Sequence, residues 1–81
     1  MYKKVKIEYF AVLREQAKIN SEELETRSTD ARELLSELTS KYNFTLGEST
    51  LKVAINEEYC EFTTKLNEGD RIVFIPPVAG G

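Results

Sequence analysis

With 81 residues, 41% of them hydrophobic and 31% charged, the chain has the size and composition of one small globular domain and leaves no length for a second. Its net charge of −3, from 11 basic and 14 acidic residues, argues against nucleic acid as the main partner, because phosphate recognition needs a concentrated basic surface. The lack of histidine and the single cysteine, Cys60, exclude Ser-His and Cys-His nucleophiles, an internal disulfide framework and a structural zinc site.

From the N-terminus, Lys4 to Phe10 alternates, with Val5, Ile7 and Tyr9 on one face and Lys6, Glu8 and Phe10 on the other, as in a half-buried strand. Lys3, Lys4 and Lys6 form the one local basic cluster and read as a solvated strand edge. Ala11 to Lys18 changes to helical spacing, with Val12, Leu13 and Ala17 available to pack, and Glu22 to Arg27 predicts a weaker strand carrying Leu24. Ser28-Thr29-Asp30 announces a helix over roughly 30–42, with Asp30 and Glu33 spaced as in a capping box and Ala31, Leu34, Leu35, Leu38 and Tyr42 forming one apolar stripe. A loop follows, with Phe44 and Leu46 expected against the core. Leu51, Val53 and Ile55 then alternate, Asn56-Glu57-Glu58 predicts a tight turn, and Tyr59 to Phe62 returns as a strand. Gly69 in the turn before Arg71 suits a positive φ. Arg71 to Ile75 is the most β-prone segment, with Ile72 and Phe74 on the core side and Val73 and Ile75 opposite.

This order predicts an α+β fold: a mixed sheet of about five strands with one main helix and a short one. It is the β-grasp pattern, although periodicity alone also allows a generic α+β roll. The domain is expected over 1–75, with 76–81 as an extended C-terminal tail.

Pro76-Pro77 ends the last strand, since neither residue can donate to a ladder. The final six residues, Pro76 to Gly81, reach about 20 Å when extended and narrow through Val78 and Ala79 to Gly80-Gly81. A frayed terminus is the plain alternative, but such ends are usually polar, and this one is apolar and uncharged. Two glycines without Cβ atoms suit threading into a narrow channel. The Gly81 carboxylate is then an open reactive group: ATP converts it to an acyl-adenylate, and a sulfur donor displaces AMP to leave a thiocarboxylate. No step needs a histidine or cysteine in this chain, so the catalysts are expected on partners.

Three stretches, Tyr9-Phe10-Ala11-Val12-Leu13-Arg14-Glu15, Val53-Ala54-Ile55-Asn56 and Gly69 through Gly81 with its PPVAGG ending, carry a resemblance over essentially the full length. The chain resembles the small subunit of molybdopterin synthase, the MoaD family of ubiquitin-like sulfur carriers. Thiamine-pathway carriers also end in Gly-Gly but are typically shorter and lack the double proline. The resemblance implies a β-grasp fold and a cycle in which an adenylating enzyme akin to ubiquitin-activating enzymes uses ATP on Gly81, a sulfur donor protein follows, and the large synthase subunit accepts the tail (Pro76, Pro77, Val78, Ala79, Gly80). Sulfur would pass from Gly81 to cyclic pyranopterin monophosphate, two transfers forming the dithiolene, within a heterotetramer. It further implies that the chain is not an enzyme on its own and that no metal or cofactor is bound by it. Alternatives are a carrier for thiamine or tRNA thiolation and a ubiquitin-like modifier conjugated through Gly81.

Apolar residues on the wetter face invite a partner. Phe10 lies on the Lys6/Glu8 side, Val73 and Ile75 lie opposite the core pair, and Tyr59 is expected at the turn between two strands. The resemblance assigns Phe10, Arg14, Tyr59 and Ile75 to subunit contact, although an aromatic is common in the family where Ile75 stands here. A second layer of chain covering Phe10 and Tyr59 is the structural alternative. Cys60 reads as a small strand residue with nothing nearby to activate its thiol, and Glu57 and Glu58 as solvated turn carboxylates. No stretch approaches the roughly 20 apolar residues of a membrane span, and the alternating N-terminus is unlike a signal region. The expected location is the cytoplasm, with no membrane partner.

Overall fold

The computed structural model describes residues 2–77; Val78, Ala79, Gly80 and Gly81, on which the thiocarboxylate and threading expectations fall, lie outside the described residues. The element order is β1 (Lys3–Tyr9), α1 (Ala11–Ala17), β2 (Ser21–Thr26), α2 (Ala31–Tyr42), β3 (Lys52–Ile55), β4 (Glu58–Cys60) and β5 (Arg71–Ile75). The five strands form one sheet in the order β2-β1-β5-β3-β4. The central pair β1 and β5 is parallel and the remaining pairs are antiparallel. Two hairpins with their outer strands at the edges, joined through a crossing helix, are the β-grasp arrangement.

Alternation in the strands and the stripe of α2 meet in a single core. Val5, Ile7 and Tyr9 from β1, Ile72 and Phe74 from β5, and Val53 from β3 are buried against Leu34, Leu35 and Leu38 of α2. The short α1 adds Leu13 and Ala17, one turn apart, and Val12 is only partly buried. It is a decorated connection inside the first hairpin, since Tyr9 N still donates to Asn20 O at 2.8 Å. Phe62 stacks on Phe74 with ring centroids 6.1 Å apart, closing the end of the core nearest β5's exit.

The start of α2 departs from the expected capping box. Asp30 caps by accepting from Glu33 N at 2.9 Å, but the Glu33 carboxylate accepts from Thr29 N and Thr29 Oγ1 at 2.8 and 3.0 Å instead of reaching Asp30 N. Asp30 bridges to Lys65, with Ala31 N donating to Thr64 O, Leu66 N to Thr29 O and Arg32 N to Phe62 O, so neighbouring chain supplies acceptors to the first helical N–H groups. The helix ends at Asn43 in the left-handed region, with Asn43 N donating to Thr39 O at 2.7 Å.

The β3–β4 hairpin also differs from expectation. Its loop is Asn56-Glu57 alone, with φ of 54° and 73°, so Glu58 already belongs to β4. β4 then stops at Cys60 because Thr64 N donates to Glu61 O in a turn and Phe62 turns inward to Phe74. Asp70, buried before β5, accepts from Asn56 Nδ2 at 2.9 Å and Asn67 N at 2.8 Å, while Asn56 Oδ1 accepts from Arg71 N at 3.1 Å. Gly69, at φ 85°, makes the bend that places Asp70 there. This polar clamp locks the β3–β4 turn to the root of β5.

At the opposite end of the core, the Tyr9 and Tyr42 hydroxyls both donate to Glu22 Oε2 at 2.6 Å, and Lys41 Nζ donates to Oε1 at 3.2 Å. Partial burial pushes the Glu22 carboxyl upward, but the bonds from Tyr42, Tyr9 and Lys41 outweigh it and hold the group below its ordinary value of 4.5. A depressed carboxylate stabilises the fold above the unfolded-state value and loses that contribution as pH falls through the folded-state value. Glu22→Gln is therefore expected to cost about 1–2 kcal/mol near neutral pH and to converge on the wild type in acid. Urea denaturation of both proteins across that range checks this; a gap that stays constant with pH would refute it.

Candidate functional site

The face of the sheet opposite α2 is built by the other half of the strand alternation. Register places Glu8, Val73, Ala54 and Tyr59 in one row across β1, β5, β3 and β4. Lys6 and Arg71 pair in the row nearer the β5 root, and Ile75 and Lys52 pair in the row nearer its exit. Phe10 follows Tyr9, the partner of Phe74, and so lies at the exit end of the sheet with Ile75; it is 46% exposed. Val73 and Ile75 are half-buried, and Tyr59 is 71% exposed. Phe10, Val73, Ile75 and Tyr59 therefore share one surface, as the alternation predicts. No second layer of described chain covers Phe10 or Tyr59.

Tyr59 is not at a turn. It sits inside β4 opposite Ala54, because the turn is one residue shorter than its polar composition indicates. Ala54 was missed by sequence reasoning. It is buried between Val73 and Tyr59 on the outer face, and the signal was available: alternation that sends Val53 and Ile55 inward sends Lys52 and Ala54 outward. Arg14 is exposed on α1 and shares a shallow depression with Glu8, Phe10 and Ser21, at the border of the patch and away from Tyr59.

Charge frames the apolar row. The Arg71 guanidinium pairs with Glu8 on one side and approaches Glu57 at 3.7 Å on the other, spanning β1 to the β3–β4 turn. These pairs are partly exposed, so their effect is on orientation more than on stability. At the exit end Lys52 stands beside Ile75. The chain then leaves through Pro76, half-buried, and Pro77, exposed. Patch and tail root are thus contiguous.

The other candidate groups do not assemble. Cys60 is half-buried, its Sγ 3.9 Å from Val53 O. Glu57 and Glu58 are exposed at the hairpin turn, as expected for solvated carboxylates. Among the described residues no cluster of three or more His, Cys, Asp or Glu side chains is placed to hold a metal, and no helix is long and apolar enough to cross a membrane. What the site offers is a surface and an exit.

Comparison with known proteins finds similarity over nearly the whole chain. The molybdopterin synthase sulfur carrier subunit of Mycobacterium tuberculosis is 35% identical over 81 residues, spanning 96% of this chain and 98% of that protein. Among solved structures, small archaeal modifier protein 1 from Methanosarcina acetivorans has a TM-score of 0.80 at 27% identity, covering 100% of this chain and 99% of that one. A chain of the complex of subunits 1 and 2 of molybdopterin-converting factor from Helicobacter pylori has a TM-score of 0.65 at 26% identity, covering 96% and 99%. The ThiS family model matches residues 7–81, so this chain belongs to the ThiS family.

Proposed function

We propose that this chain is the sulfur carrier subunit of molybdopterin synthase, and that Gly81 is its reactive end. The observation that carries the reading is the apolar row Val73–Ala54–Tyr59, bordered by Phe10 and Ile75, which runs directly into the Pro76-Pro77 exit. A protein held on that face receives whatever follows the prolines. The curated relative named a molybdopterin synthase sulfur carrier subunit supports the chemistry, and the solved complex of two molybdopterin-converting subunits supports a large-subunit partner.

In this scheme the Gly81 carboxylate attacks the α-phosphorus of ATP on an adenylating enzyme, with pyrophosphate leaving. A sulfide equivalent, released from a donor protein's persulfide by a reducing thiol that becomes a disulfide, then displaces AMP at the acyl carbon. The thiocarboxylate sulfur attacks cyclic pyranopterin monophosphate in the large subunit, and hydrolysis of the acyl link returns the carboxylate. Two such cycles supply the two sulfurs of the dithiolene. The tail residues Pro76, Pro77, Val78, Ala79 and Gly80 serve as the spacer, while Phe10, Arg14, Tyr59, Val73 and Ile75 hold the partner. The chain itself supplies position and a leaving terminus, and ATP and the catalytic groups belong to its partners.

Intact mass measurement of the protein incubated with the adenylating enzyme, ATP and a sulfur source is expected to reveal a species heavier by one oxygen-to-sulfur exchange. Persistent absence of that species rejects the proposal. The likeness to an archaeal modifier protein supports a second reading, conjugation of Gly81 to lysines of target proteins. Isopeptide-linked species of higher mass in cells would favour it, and recovery of the large synthase subunit in a pull-down would favour the carrier for this product over one for thiamine or tRNA.

A further inference from the structure

A β-sheet edge carries backbone donors and acceptors that nothing in the sheet satisfies, and proteins usually guard them. The β2 edge is guarded by Glu23 and Glu25, both exposed. The β4 edge is different. In a two-residue hairpin the closing pair, Ile55 and Glu58, exchanges both backbone bonds, so the next pair, Ala54 and Tyr59, exchanges none. The N–H and C=O of Tyr59 therefore point away from β3 into the open edge.

Beside that edge lies a surface groove lined by Leu51, Val53, Cys60 and Phe62 together with Tyr59 and Lys52. Its carboxylates are unequal. Glu48 is taken by Arg32 through two hydrogen bonds, whereas Glu61 has no salt-bridge partner among the described residues. Lys52 is the one cation in the lining. An apolar trough beside a free strand edge, with the unpaired carboxylate of Glu61 in its wall, fits an extended segment that alternates apolar and basic residues.

We propose that the β4 edge takes such a segment from the tail-accepting large subunit as an added sixth strand next to the five of the sheet. This rests on the carrier reading. Continuity favours that occupant: Tyr59 belongs to the docking row and to the groove, and Lys52 in the groove pairs with Ile75 at the tail root. A protein seated on the face and enclosing the tail passes along this edge. Backbone pairing at Tyr59 would fix its register, and Glu61 would select a basic side chain.

The test separates the Tyr59 backbone from its side chain by titrating the purified large synthase subunit against full-length wild type, Tyr59→Ala and Tyr59→Pro. Both variants lose the ring, but only proline removes the N–H, which β3 does not use. Tyr59→Pro is expected to bind roughly three- to tenfold more weakly than Tyr59→Ala, the effect of one net backbone hydrogen bond. Amide hydrogen exchange on the wild-type complex, which needs no variant, is expected to show new protection at Tyr59. Equal affinities for the two folded variants, or an unprotected Tyr59 amide in the complex, overturn the added strand and leave the carrier reading intact. If wild type does not bind the large subunit at all, the carrier reading fails and this inference with it.

Discussion

Deleting Gly81 is expected to abolish sulfur transfer while leaving the fold unchanged. The truncated chain still ends in a glycine carboxylate, Gly80, so the expected loss comes from reach and not from chemistry. Past Pro77 only four residues remain, each spanning at most about 3.5 Å, and removing one withdraws the acyl carbon by about that distance. Misplacement by about 1 Å can cost on the order of 100-fold in rate, so the full step should reduce thiocarboxylate formation and sulfur transfer by at least about 1,000-fold. The core cluster runs from Val5 to Phe74 within the described residues, so thermal melts of the two proteins are expected to coincide. The measurement is the mass-resolved thiocarboxylate fraction together with complementation of a strain lacking the small subunit. A truncated chain that accumulates thiocarboxylate and complements as well as wild type removes Gly81 from the mechanism.

The parts of the fold that could be read in advance are those set by local periodicity. The α2 stripe and the inward pairs of β1 and β5 all reach the core, since a helix or strand with one apolar face has one stable way to bury it. What the chain does not reveal locally is pairing. The parallel contact of β1 with β5 joins residues some 65 positions apart, such as Ile7 and Ile72, and no window of sequence contains both. Misreadings cluster where tertiary partners replace local ones. At the start of α2, Ala31 N and Arg32 N find their acceptors in the neighbouring chain at Thr64 and Phe62, and β4 is cut short because Phe62 leaves the sheet for Phe74. Glu57 at φ 73° is a residue type that seldom adopts the left-handed region, so a longer turn was the natural expectation. That one-residue difference carries Tyr59 from the edge of the turn to the middle of β4, opposite Ala54. The candidate site was thus legible as a set of residues, and its geometry became legible only with register.

Val73→Asp should separate docking from folding. Val73 is the centre of the outer row, between Glu8 on β1 and Ala54 on β3. In the free protein the position is half-buried and solvated on one side, so a carboxylate there remains hydrated and costs mainly the like-charge proximity of Glu8, about 0.2–1 kcal/mol. In a complex the same carboxylate is enclosed without a partner, and the valine contact is lost with it. Central interface positions of this kind carry about 2 kcal/mol or more, and a buried unpaired charge adds to that. Affinity for the large subunit is expected to fall by about 100-fold or more, with thermal stability nearly preserved. Ser36→Asp is the matched control, since Ser36 is exposed on α2, which covers the other side of the sheet. Calorimetric titration of the three proteins against the large subunit decides the matter. If folded Val73→Asp binds within about twofold of wild type, the face between β1 and β4 is not the docking surface.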